Sequence, residues 1–115
     1  MGAADAAPAV LAATHYLGWA FTDMGHYAEA RDLHQYTLDR ARRLPGEDHP
    51  NALVAANQLA NDLYRLGETQ AARDLDQDTV DRRRRVLGED HPDTLTSATS
   101  LANDLRALGE AADNS

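Results

Sequence analysis

The chain has 115 residues and a formal charge of -8, and all 11 of its basic residues are arginine. That acidic balance excludes a general nucleic-acid binder, because phosphate contact needs a positive field. Cysteine is absent, which excludes disulfides and thiolate metal sites. No apolar run approaches the length of a membrane span.

The first element is a helix over Pro8–Met24, in which proline occupies the first turn, where a missing N–H costs nothing. Ala3–Ala13 is rich in alanine but has no basic flank, so it does not read as a signal peptide, and a cytoplasmic chain is expected. A second helix follows over Tyr27–Leu44 after Gly25. The third, Pro50–Leu66, carries Leu53, Ala56, Leu59, Ala60, Leu63 and Leu66 at helical spacing, with Asp48 or His49 available as a cap and Gly67 as the stop. The fourth is Thr69–Leu87, with Ala72, Leu75, Thr79 and Val86 on one face and Arg73, Asp81 and Arg84 mostly on the other. The fifth is Pro92–Leu108, with Leu95, Ala98, Leu101, Ala102, Leu105 and Leu108. No strand pattern occurs, so the fold class is all-α.

These helices obey one period. Pro8, Pro50 and Pro92 stand 42 residues apart, as do Gly25, Gly67 and Gly109. Gly-Glu-Asp-His-Pro at 46–50 returns at 88–92, and Leu-Ala-Asn-Asp-Leu at 59–63 returns at 101–105. Self-similarity at this scale marks a stacked array in which each unit buries its apolar face against its neighbours. The period divides a single domain, 1–115, into units 8–49, 50–91 and a partial 92–110.

The residues that carry a family resemblance are Leu17-Gly18-x-x-Phe21, Gly25, Tyr27 and Ala30, and again Leu59-Ala60-x-x-Leu63, Gly67 and Ala72. They resemble the helix-turn-helix of the tetratricopeptide repeat. The 42-residue unit, longer than the usual 34, is similar to the kinesin-light-chain type. The resemblance implies helical hairpins stacked in a short right-handed superhelix, whose A helices line a concave groove. It also implies a setting in bacterial signalling proteins that carry a nucleotide-binding ATPase. The arginine and alanine bias fits a GC-rich genome such as an actinobacterium's.

Transferred position by position, the resemblance places His15, Trp19, Asn57, Asn61, Tyr64, Arg65, Thr99, Asn103 and Arg106 in that groove. Asn61 and Asn103 are equivalent, with Trp19 as their counterpart in the first unit. Asparagine offers a donor and an acceptor and can hold an extended peptide backbone; tryptophan adds an apolar anchor, and Arg65 or Arg106 can meet an acidic side chain. Against this stands packing alone, with the asparagines bonding neighbouring helices. The lysine clamp for a terminal carboxylate, known in the family, has no lysine here to build it.

Asp62 and Asp104 are also equivalent, and each is expected to pair with an arginine of the preceding B helix, Arg31 or Arg40 for Asp62. Glu47-Asp48-His49 and Glu89-Asp90-His91 look like metal ligands but read more simply as helix caps. Arg82–Arg85 reads as a solvated helix end, with Asp78 and Asp81 pairing to Arg82 and Arg85. No phosphate loop, nucleophile elbow or zinc pair occurs, so neither enzyme nor cofactor is expected. The fifth helix leaves an apolar stripe without a partner, so Leu101, Leu105 and Leu108 are expected to mediate homo-oligomerisation, or the chain is a piece of a longer array. The functional expectation is a protein or peptide interaction module, with structural assembly as its rival.

Overall fold

The computed structural model describes residues 8–43 and 50–109, with side chains from residue 13 onward. Five helices occupy the described residues: α1 Pro8–Asp23, α2 Tyr27–Ala41, α3 Pro50–Arg65, α4 Thr69–Leu87 and α5 Pro92–Ala107. The first Gly-Glu-Asp-His-Pro link, with the proposed caps Asp48 and His49, lies outside the described residues.

Local chemistry sets the helix ends. After α3, Gly67 takes a left-handed φ of 86°, which lets its N–H reach Tyr64 O at 3.1 Å while Glu68 N donates to Leu63 O at 2.8 Å. This is the paired-bond C-terminal cap that glycine permits at least cost. Gly25 repeats it after α1, with bonds to Thr22 O and from His26 N to Phe21 O. At the start of α5, His91 Nδ1 accepts from Asp93 N at 3.1 Å ahead of Pro92, so this histidine is a cap.

Each helix packs mainly on its neighbours in the chain, as a linear array requires. The tightest core lies between α2 and α3, where Leu38 and Ala41 meet Ala52, Ala55, Ala56 and Leu59, with Leu63 and Leu75 against its edge. Alanine at four of these positions lets the helix axes approach closely. Burial of this kind stabilises by about 25 cal/mol per Å² of apolar surface.

The next junction, α4 with α5, has the same helix register and different chemistry. Ala41 is replaced by Arg83, Ala52 by Thr94, Ala55 by Ser97 and His34 by Asp76, and all four replacements are buried. Arg83 is 6% exposed and donates to Asp93 O at 3.1 Å and Ser97 Oγ at 2.7 Å. The arginine run is therefore not simply a solvated end. Arg82 pairs with Asp78 at 2.8 Å as expected, and Asp81 faces Arg84 at 4.0 Å. Leu66 and Val86, expected inside, are exposed, and Val80 fills the core instead.

An A helix in this array has two apolar faces. On α3, Ala52, Ala55 and Leu59 pack on α2, while Leu53 lies beside Val86 and Leu87 of α4. Leu101, the counterpart of Leu59, is accordingly buried, which removes it from the expected unpartnered stripe. The open face of α5 is set instead by the counterparts of Leu53 and Ala60. Leu95 is 53% exposed where Leu53 is 4%, and Ala102 is exposed where Ala60 is buried. Leu105 and Leu108 are half-buried.

Candidate interaction groove

Asn61, Tyr64 and Arg65 of α3 and Ser100, Asn103 and Asp104 of α5 surround a cavity of about 100 Å³, closed beneath by Asp76 of α4. The one-turn steps 61, 64–65 and 100, 103–104 put these side chains on matching faces of two A helices. Four of the sequence-predicted groove residues, Asn61, Tyr64, Arg65 and Asn103, thus converge on one space. Arg106 joins them indirectly, donating to Asn103 Oδ1 at 2.9 Å. Asn57 is half-buried with Oδ1 unpartnered among the described residues, and Thr99 bonds Leu95 O within its own helix.

His15 and Trp19 form a separate group on α1. Their rings stack with centroids 6.3 Å apart, and the His15 ring lies 5.8 Å from that of His34. Burial, and secondarily the charge of His34, hold His15 below the ordinary imidazole value. Trp19 is 49% exposed, so half its ring faces outward.

Two buried polar pairs, which the helical pattern did not reveal, join the helices. Asp62 does pair with α2, as expected, but through His34 rather than Arg31 or Arg40. His34 Nδ1 donates to Asp62 Oδ2 at 2.6 Å, both side chains are fully buried, and Thr22 Oγ1 donates to Asp62 Oδ1 at 2.8 Å. Arg31 bonds Asp32 and Glu68 on the surface. Gly18 makes room for the histidine: a Cβ there would stand 2.7 Å from His34 Nε2. The helical spacing of Ala30, His34, Thr37, Leu38 and Ala41 was the available signal, since it puts His34 on the inner stripe of α2.

Forty-two residues on, the same two places hold Asp76 and Asp104, both almost wholly buried and within hydrogen-bond reach of each other. The expected arginine partner for Asp104 is replaced by a second carboxyl. Burial first, then the bond and the charge of Asp104, push Asp76 up to about 9. Burial also raises Asp104. Two such carboxyls cannot both ionise at low cost, so they hold a proton at neutral pH. Among the described residues, no group of three or more His, Cys, Asp or Glu side chains is arranged to hold a metal ion.

Stacked helical hairpins, with side chains converging between successive A helices, define a helical-repeat binding scaffold. The tetratricopeptide repeat family model matches residues 10–51 and again 53–93, so the chain belongs to that family. Two crystal structures of a kinesin-light-chain-like protein from Podosopora anserina with nearly identical TPR-like repeats, one of them a single-substitution variant, are similar to it. Both are 27% identical, with TM-scores of 0.81 and 0.78, over 92% of this chain and 50% of theirs. The chain thus spans half the length of these relatives and is of the kinesin-light-chain type. No curated protein matches it. Tetratricopeptide repeats in general mediate protein–protein interaction.

Proposed function

We propose that the chain is a protein-interaction module that holds an extended partner segment along the faces of α1, α3 and α5. The observation that carries this reading is the convergence of Asn61, Tyr64, Arg65 and Asn103 around one cavity. Asn61 and Asn103 present amides at equivalent heights on adjacent helices, suited to the backbone of an extended segment. Trp19 offers the apolar anchor, and Asn57, His15 and Arg106 border the path. The reading assigns the chain no catalytic step and places it in the cytoplasm. A peptide-library screen tests it. Binders selected by the native chain lose affinity in the Asn61→Ala/Asn103→Ala double variant; undiminished binding there, with the fold intact, refutes the groove.

A second reading, assembly through α5, is favoured by a specific observation. Leu95, Ala98 and Ala102 are all more open than Leu53, Ala56 and Ala60, their counterparts on α3. A helix resembling α4 would fit this face, whether from a second copy or from further repeats. Leu105 and Leu108 border that face, whereas Leu101 does not reach it. Light scattering over a concentration series tests this second reading. A mass that rises with concentration, and does not rise in Ala102→Arg, supports it; a constant monomer mass rejects self-association.

A further inference from the structure

The groove cavity has an unusual floor. Beyond the proton the two carboxyls share, Asp76 Oδ1 and Asp104 Oδ2 have no hydrogen-bond partner among the described residues, although both side chains are more than nine-tenths buried and both belong to the cavity wall. In the preceding junction the equivalent carboxylate of Asp62 has both oxygens satisfied, by His34 and Thr22. The substitution of His34 by Asp76 in the repeat removes the donor and adds an acceptor, and Tyr64 stands where Thr22 stood. Two acceptors facing one cavity want a donor from outside, and a cation most of all.

Several charged and titratable groups surround the pair. From α3, Arg65 and Tyr64 line the cavity, and the Arg65 side chain is exposed. On α5, Arg106 is bonded to Asn103. On α4 itself, Arg73 lies one turn back and meets Asp74 at 3.7 Å. The cavity of about 100 Å³ far exceeds what one water needs, and so admits an ammonium or guanidinium head. The chain's charge of -8 favours approach of a basic segment.

Resting on the groove reading above, we propose that this cavity receives a lysine or arginine side chain of the partner, lodged between Asp76 and Asp104. The cation takes the place of the proton the two carboxyls share, so binding expels that proton into solution. Asn61 and Asn103 then hold the partner backbone on either side of the inserted residue.

The test is a positional-scanning library of extended peptides, screened at pH 8 against the native chain, Asp76→Asn and Asp104→Asn, with circular dichroism verifying each fold. The native chain should select lysine or arginine at one position. Replacing that residue by citrulline or norleucine, or either aspartate by asparagine, should weaken binding by ~10- to 100-fold, as loss of a charge-assisted bond implies. Preferences elsewhere in the peptide should persist in both variants. Calorimetry of a selected peptide in buffers of different ionisation enthalpy should register proton release. Peptides selected without a basic preference, or with one that both variants keep, overturn the cavity proposal and leave the groove standing. Selection of no peptide defeats both readings together. Shifts of Tyr64 and Asn103 resonances with calcium or magnesium chloride alone, and loss of peptide binding in those salts, would assign the cavity to a metal ion instead.

Discussion

Replacing Asp62 by alanine should cost this array a large part of its stability. The carboxylate is fully buried between α1, α2 and α3 and accepts from His34 Nδ1 at 2.6 Å and from Thr22 Oγ1 at 2.8 Å. Its removal strands a fully buried imidazole whose other nitrogen has no partner among the described residues. Breaking a buried pair in this way costs about 3–5 kcal/mol, against a total of roughly 5–15 kcal/mol for a domain of this kind. In urea, with a slope of about 1–3 kcal/mol/M, the midpoint should fall by about 1–5 M without a change of slope. Asp62→Asn, which keeps the shape and one acceptor, should lose roughly half as much. Added salt should leave the difference nearly unchanged, because buried pairs are poorly screened. A midpoint within about 0.3 M of the native chain, well below that expected shift, would refute the assignment of Asp62 as the polar centre of this junction.

The second junction should respond to pH. Asp76 is raised to about 9 in the folded chain, so the native state holds a proton that the unfolded chain releases above about pH 4. Stability contributed by that proton is complete below pH 4 and declines as pH rises toward 9, and Asp76→Asn should flatten the decline in denaturation midpoints measured across this window. Gly18→Ala sets a helix-propensity gain of about 1 kcal/mol against overpacking of about 1–3 kcal/mol on the His34 ring. It should lower the melting temperature in the native chain and raise it in a His34→Ala background. Leu101→Ala should destabilise by about 2–5 kcal/mol as a core deletion. Ala102→Arg, on the open face of α5, should leave the free energy of unfolding within about 0.5 kcal/mol of the native chain.

The period of 42 made the architecture legible, because spaced prolines and glycines mark helix starts and stops in every unit. Four of the five helices end one to three residues earlier than their apolar patterns suggest, and Thr69–Leu87 matches its pattern at both ends. The exposed register shared by Trp19, Asn61 and Asn103 was legible as one the core does not claim. The buried polar pairs were harder to read. An inner stripe containing histidine or aspartate looks like an interruption of the hydrophobic pattern, and the nearest arginines were the obvious partners for Asp62. Burial decided otherwise, since Arg31 reaches surface carboxylates at little desolvation cost while His34 is already inside. Leu101 was misplaced because one helical stripe was read where an A helix has two, offset by a single residue. Arg83 was misplaced for a related reason, since four successive arginines face four directions and one of them faces the core.

The groove stands or falls on where a bound segment touches the chain. The direct measurement is a two-dimensional amide and side-chain NMR titration of the intact chain with the best peptide from the library. Shifts should concentrate at Asn57, Asn61, Tyr64, Asn103 and the Asp76–Asp104 pair, with Leu95, Ala98 and Ala102 unmoved. Shifts gathered on the open face of α5, with the groove asparagines silent, would contradict it.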